Sequence, residues 1–208
     1  MTDFTMTTDA EGIATITWDV KDKSMNVMTL EAWDLLEGLV DAAVADEAVK
    51  GVIITSGKDS FAGGMDLNVI AKMKQMAGDN PAQGLFDGIM NAHRIMRKIE
   101  RAGMDPKTLK GGKPIATVLP GTALGIGLEI PLSTHRIFAA TNPKAKIGLP
   151  EIMVGIFPGA GGTTRLTRKM GAMAASPFLL EGKMVAPAAA KAAGLVDDVS
   201  DDPMEAAR

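Results

Sequence analysis

The sequence predicts an α/β fold built on one mainly parallel sheet with surrounding helices. Three observations predict it. Short apolar or alternating runs recur at 13–19, 51–57, 115–121 and 136–141, in the manner of strands. Several of the stretches between them place apolar residues at helical spacing, which is the pattern of βαβ units. The chain has 208 residues, 46% of them apolar and 23% charged, which suits one α/β domain with an ordinary core.

The elements follow in order. IATITWD (13–19) alternates apolar and polar residues, so it reads as a half-buried strand. VKDKSMNVMT (20–29) reads as a loop. Thr29 is placed to cap a helix over about 30–45, with Leu30, Trp33, Leu36, Val40 and Val44 on one face. GVIITSG (51–57) is a β-branched run ending in Gly, as expected of a buried parallel strand. FAGGMDL (61–67) is a Gly-containing turn into a helix over about 66–77. After the loop GDNPAQG (78–84), Leu85, Ile89, Ala92, Met96 and Ile99 mark another helical face.

RAGMDPKTLKGGKP (101–114) is a loop, and IATVLPG (115–121) a buried strand. TALGIGLEIPL then turns into a helix. Pro131 lacks an N–H and crowds the preceding turn, so that helix is expected to start near Gly127 or to bend. RIFAAT (136–141) is a strand, and AKIGLPEIM a short strand and turn. GIFPGAGGTTRLTRKMG leads from a Gly/Pro-rich loop into a helix. AASPFLLEG and APAAAKAAGLV are two short helices. In the tail VDDVSDDPMEAAR, Asp197, Asp198, Asp201 and Asp202 read as a solvated acidic run before a last helix. The chain shows no internal repeat and no low-complexity segment.

Composition removes several function classes. The net charge is −3 and no Lys/Arg-dense run exists, which argues against nucleic acid as a partner. With no cysteine, disulfide scaffolds, thiol nucleophiles and Cys-ligated zinc are excluded. Two histidines, His93 and His135, are too few for a His-rich metal site, and both read as packed or surface residues. No run of about 18 apolar residues is present, so no membrane span is expected. The start, MTDFTMTTDAEG, has neither a basic nor an apolar region, so no signal peptide is read and a cytoplasmic protein is expected.

The chemistry concentrates at two Gly-rich turns, FAGGMDL (61–67) and TALGIGLE (122–129). Glycine lets a backbone pass close to a ligand, and a helix start presents free N–H groups. Two such turns facing each other would hold a developing oxyanion. Neither turn is a dinucleotide fingerprint: GIGLEI (125–130) lacks the third Gly, and GAGGTT (159–164) has the wrong spacing. No phosphate-binding Gly-Lys-Ser/Thr motif occurs. Two carboxylates lie among apolar neighbours. Glu129 is flanked by Ile126, Leu128, Ile130 and Leu132, and Glu151 by Leu149, Ile152 and Met153. Burial raises a carboxyl pKa towards neutrality, as a general acid or base requires. Asp66 reads as a cap or first-turn residue.

These segments together resemble the crotonase superfamily, and within it the enoyl-CoA hydratase branch. FAGGMDL is similar to the family's first oxyanion turn, F-x-A-G-x-D-[IL]. PGTALGIGLE is similar to the second, N-G-x-A-x-G-G-G-x-E. IGLPEIMVGIFPGAGGTTRL resembles F-G-x-P-E-x-x-x-G-x-x-P-G-x-G-G-T-x-R-L, and is the longest ordered match. The resemblance runs from the strand at 13 to about 199. It implies a crotonase-like core of repeated ββα units over 1–199, with 200–208 starting a C-terminal helical region or linker.

The resemblance also implies roles. The oxyanion donors would be the backbone N–H groups of Met65 and Ile126. The catalytic glutamates would be Glu129 and Glu151. The loop KSMN (23–26), with Lys23, Ser24 and Met25, would lie beside the coenzyme A adenine and ribose. Gly63, Gly64, Asp66, Leu67 and Gly125 would line the substrate path. The implied reaction adds water to a trans-2-enoyl-CoA to give a 3-hydroxyacyl-CoA. It needs no metal and no cofactor beyond the coenzyme A of the substrate. The alternatives are a Δ3-Δ2-enoyl-CoA isomerase and a non-catalytic acyl-CoA-binding module.

Three departures from the family pattern stand out. Ile126 replaces the middle Gly of the triple Gly, Pro120–Gly121 replaces Asn-Gly, and RAGMDPKTLKGG reads as an insertion. Free-standing members continue through further helices that cover the site and help form trimers. The length therefore predicts a truncated helical region. The chain resembles the N-terminal hydratase module of a multifunctional fatty-acid oxidation α-subunit, which continues into a 3-hydroxyacyl-CoA dehydrogenase. A homo-oligomer, or a place in such a complex, is expected.

Overall fold

The computed structural model describes residues 2–66, 69 and 80–208. Leu67, and most of the helix expected over 66–77, lie outside the described residues. Among the described residues the main sheet has six strands: β1 (Phe4–Thr8), β2 (Ile13–Trp18), β3 (Gly51–Ser56), β4 (Ile115–Leu119), β6 (Arg136–Ala140) and β9 (Asp198–Ser200), in the order β1-β2-β3-β4-β6-β9. Within this sheet only the β1–β2 pair is antiparallel. Ile16 stands opposite Ile54, Ile54 opposite Thr117, and Thr117 opposite Ile137. A smaller sheet joins β5 (Ala123–Leu124), β7 (Ile147–Gly148) and β8 (Met184–Val185).

The strand chemistry accounts for the layering. β2 buries Ala14, Ile16 and Trp18 and leaves the residues between them half-buried, as its alternation predicts. β3 is buried on both faces along nearly its whole length, as a central parallel strand must be. Phe4 stacks on Trp18 at 5.1 Å, and Phe61 meets Trp18 edge-on at 5.9 Å. This cluster anchors the antiparallel edge against the first Gly-rich turn.

Helix α1 (Leu30–Ala45) starts where expected, because the Thr29 side chain accepts the N–H of Ala32 at 3.1 Å. It buries Trp33, Leu36, Val40 and Ala43, while Leu30 in the first turn faces outward. Helix α2 (Pro81–Arg101) is capped by Asn80 and opened by Pro81, and its second half buries Ile95, Met96 and Ile99. Its first half exposes Phe86 and Met90. Helix α3 (Ile126–Leu132) starts one residue before Gly127 and ends one residue after Pro131. The proline cannot donate to the turn behind it, so the helix stays at two turns. There follow a 3-10 turn (Glu151–Val154), α4 (Gly162–Met170), α5 (Ala172–Leu180), α6 (Pro187–Ala192) and α7 (Pro203–Ala206).

The sequence reading missed both edges of the sheet. Phe4–Thr8 forms β1 although its FTMTT pattern is mostly polar, because Phe4 alone needs burial. The acidic tail is not simply a solvated run. Asp197 accepts the N–H of Ile137 at 2.8 Å and pairs with Lys169 and Arg136. Asp198 begins β9, which crosses the expected boundary at 199 and pairs with β6. Helix α7 packs on β4, β6 and β9, so residues 198–206 are integral to the sheet layer. No helix among the described residues is long and apolar enough to cross a membrane. Met153, Val154, Phe157, Met173 and Leu180 are exposed on the 3-10 turn, the loop after it and α5.

Candidate active site

The two Gly-rich turns meet. Ala62 bridges Ala123 in parallel register, the N–H of Leu124 donates to Ala62 O at 3.0 Å, and the N–H of Phe61 donates to Thr122 O at 2.9 Å. The first turn is also sewn to the loop after β2. Gly63 N–H donates to Asn26 O, Met28 N–H to Gly64 O and Asp66 N–H to Met28 O, at 2.9 to 3.0 Å. These bonds use the groups flanking Met65. Its own N–H faces away from Met28 and has no acceptor among the described residues. Ile126 is the first residue of α3, and its N–H likewise has no acceptor there. Met65 and Ile126 therefore each present a spare N–H, on turns held side by side.

Asn26, the last residue of the KSMN segment, organises this junction. It is fully buried. Its Nδ2 lies 2.9 Å from each of Trp18 O, Ser56 Oγ and Phe61 O, which share its two hydrogens, and its Oδ1 accepts the N–H of Val20 at 2.9 Å. Its one sequence signal is an amide inside the apolar stretch SMNVM. On the same loop Lys23 and Ser24 are exposed, and Met25 is half-buried with its sulfur against Gly63. Gly64 is buried and Asp66 half-buried.

Both glutamates are buried beside these turns. Glu129, 3% exposed, lies one helical turn into α3. Its Oε1 accepts the N–H of Gly162 at 2.7 Å from the start of α4. Removal from water dominates its electrostatics and pushes its pKa up to about 7. The Gly162 N–H opposes that shift, and the charge of Glu151 adds to it. Glu151, 8% exposed, opens the 3-10 turn and is also raised by burial. Its Oε2 is buried without a hydrogen-bond partner among the described residues. This oxygen is free to hand over or take a proton.

Two glycines make the approach possible. Gly125 has φ +56°, and a Cβ there would stand 3.3 Å from Glu151 Oε1 and 3.7 Å from Gly64 Cα. A Cβ on Gly162 would stand 2.8 Å from Glu129 Cγ. The sequence reading did not single out Gly162. The signal was present in the Gly-Gly pair just before the α4 helical pattern. Ile126 is tolerated between Gly125 and Gly127 because its side chain is buried in the core, 4% exposed, while only its N–H serves the turn.

The two histidines hold structure. His93 Nε2 lies 2.7 Å from Gly159 O, so it donates to the loop that carries Gly162. Ile115 N–H donates to His135 Nδ1 at 2.9 Å, so Nε2 carries the proton and donates to Glu100 O at 3.1 Å.

Two buried carboxylates beside paired N–H donors invite comparison with known proteins. The family profile described as "Enoyl-CoA hydratase/isomerase" matches residues 8–206. The chain belongs to this family. It is 31% identical over 196 residues to the fatty acid oxidation complex subunit alpha of Shewanella halifaxensis, and covers 26% of that protein's length. Its fold matches an enoyl-CoA hydratase from Thermoplasma volcanium with TM-score 0.83, 26% identity, and coverage of 99% of this chain and 75% of that one. An enoyl-CoA hydratase from Shewanella pealeana shares the fold at TM-score 0.84 with 20% identity, over 99% of this chain and 71% of that one.

As an enoyl-CoA hydratase/isomerase family member, the chain has the crotonase-like architecture that its motifs imply. It spans about a quarter of the length of the curated relatives it matches. Glu129, Glu151, Met65, Ile126, Gly63, Gly64, Asp66 and Gly125 fall in one region through the contacts above. Met25 touches that region, Lys23 and Ser24 stand exposed on its rim loop, and Leu67 lies outside the described residues.

Proposed function

We propose that this chain is a 2-enoyl-CoA hydratase acting in fatty-acid β-oxidation. The observation that carries the reading is the pair of buried glutamates with raised pKa values beside the spare N–H groups of Met65 and Ile126. The substrate is an acyl-CoA thioester, its coenzyme A running past Lys23, Ser24, Met25 and Gly63. The Glu129 carboxylate takes a proton from water while the water oxygen bonds to the β-carbon. Electrons move onto the thioester oxygen, where each N–H donor supplies about 3 kcal/mol of stabilisation. Protonated Glu151 delivers its proton to the α-carbon and restores the thioester. The net change is one water added across the double bond, with the glutamates left in exchanged protonation states. No metal or further cofactor takes part.

The unpartnered Glu151 Oε2 also supports a second reading. A single carboxylate that removes a proton from one carbon and returns it to another would perform Δ3-Δ2-enoyl-CoA isomerisation. Purified protein given crotonyl-CoA is expected to remove the enoyl-thioester absorbance and to form 3-hydroxybutyryl-CoA. Glu129→Gln and Glu151→Gln are each expected to lower this rate about 10²–10⁴-fold. Folded protein that isomerises a 3-enoyl-CoA but leaves crotonyl-CoA unchanged overturns hydration in favour of isomerisation. Coenzyme A binding by calorimetry with neither turnover leaves an acyl-CoA-binding module. The exposed apolar residues around Met153, Phe157 and Leu180 support a homo-oligomer, or a module of a larger fatty-acid oxidation complex.

A further inference from the structure

Helices α2 and α4 flank a cleft of about 380 Å³ that none of the residues assigned above to the substrate path lines. Each helix sends two arginines into it three residues apart, Arg94 and Arg97 from α2, Arg165 and Arg168 from α4. Glu100 is the only carboxylate among the lining residues.

The charges do not balance. Arg94 is already neutralised, since both its terminal nitrogens bond the two oxygens of Glu37. Glu100 is shared. Arg97 donates to its Oε2 at 2.8 Å, while Arg165 reaches Oε1 at 3.2 Å and Oε2 at 3.4 Å. Arg168 is exposed and has no partner among the described residues. Three guanidinium groups, Arg97, Arg165 and Arg168, thus face one carboxylate, an excess of two positive charges. Water screens part of that repulsion at Arg97 and Arg168, which are exposed, and least at Arg165, which is withdrawn from it.

The recess is also prepared. The Arg165 side chain is 10% exposed and held from two sides, by Glu100 and by Ala160 O, which accepts from its Nη1 at 3.1 Å. His93 is held on Gly159 O, so the wall behind is set. Thr164 adds a hydroxyl to the lining. Guanidinium groups meet the oxygens of a tetrahedral anion with paired N–H donors. A phosphate group carries about −1.5 to −2 charges at pH 7, which matches the excess.

From these contacts we infer that the α2–α4 cleft is a binding site for a dianionic phosphate group, distinct from the acyl-CoA site and independent of the reaction assigned there. The group comes either as free phosphate or as a phosphate monoester on a small organic body. Met90 supplies an apolar wall for such a body.

The test uses the whole chain, with inorganic phosphate and glycerol phosphate as probes and chloride at equal ionic strength as reference. Calorimetry and thermal unfolding are expected to show saturable binding and a rise in Tm with phosphate but not with chloride. Tighter binding of glycerol phosphate points to an organic monoester, and equal or weaker binding to the free ion. Arg97→Gln combined with Arg168→Gln is expected to weaken binding at least tenfold. Arg136→Gln, which alters an exposed arginine paired with Asp197 elsewhere, is expected to leave it unchanged. Arg168→Gln alone is the check if the double variant folds poorly, because that side chain has no partner to lose. Equal responses to phosphate and chloride overturn the assignment, as does undiminished affinity in a folded Arg168→Gln variant.

Discussion

Glu129 is the residue on which stability and chemistry meet. Its folded pKa of about 7 lies above the ordinary value of 4.5, because burial disfavours the charged form. Between those values the folded chain binds more protons than the unfolded one, so stability falls as pH rises through about 7. At about 1.4 kcal/mol per pKa unit, ionising Glu129 costs roughly 3 kcal/mol at about pH 8. Glu129→Gln keeps an oxygen for the Gly162 N–H and removes the charge. Denaturant unfolding of this variant is expected to show a gain of up to about 3 kcal/mol at pH 8 and no gain near pH 4. The rate of the wild-type chain on an enoyl-CoA is expected to rise with pH along a limb near 7, where Glu129 becomes a base. A flat profile across that limb rules out Glu129 as the base. Gly162→Ala places a Cβ 2.9 Å from Glu129 Oε1. Its expected cost is about 1–3 kcal/mol, with at least tenfold lower turnover.

At the scale of elements, the site depends on loops anchored to strand ends. The loop after β2 carries Asn26, whose side-chain amide ties β2, β3 and the first Gly-rich turn together. Asn26→Ala leaves buried groups such as the Val20 N–H and Phe61 O without partners. Thermal or urea unfolding is expected to show a loss of roughly 3 kcal/mol, with weakened coenzyme A binding because Met25 and Gly63 lose their support. The second turn depends on α3, whose seven residues include a proline. An isolated helix of this length would not persist in water. It forms because all seven residues are buried.

At the scale of the whole molecule, the sheet is closed at its far edge by Asp197. Burial alone would raise its pKa, but Lys169, the Ile137 N–H and Arg136 outweigh that and hold it below 3.8. Its stabilisation is therefore present above pH 3.8 and is lost as pH falls through the lower folded value. Asp197→Asn is expected to cost about 1 kcal/mol at neutral pH, and the difference from the wild type should vanish in strong acid. One cooperative transition carrying that difference would show that β9 and α7 unfold with the core; a separate early transition would show that they do not.

The sequence by itself determined the central strands β2, β3, β4 and β6, the Thr29 cap and the apolar setting of Glu129 and Glu151. Each leaves a local trace: an apolar run, a period of two, a hydroxyl before a helical face, or a carboxylate among apolar neighbours. Only the tertiary structure decided the rest. Glu129 meets Gly162, which lies 33 residues away, and nothing local to either residue encodes that contact. The same holds for the edge strands β1 and β9, which one buried side chain or a few ladder bonds recruit to a sheet already formed. The cationic cleft emerges only when α2 and α4 pack, because arginines on separate helices become neighbours through the core that holds them.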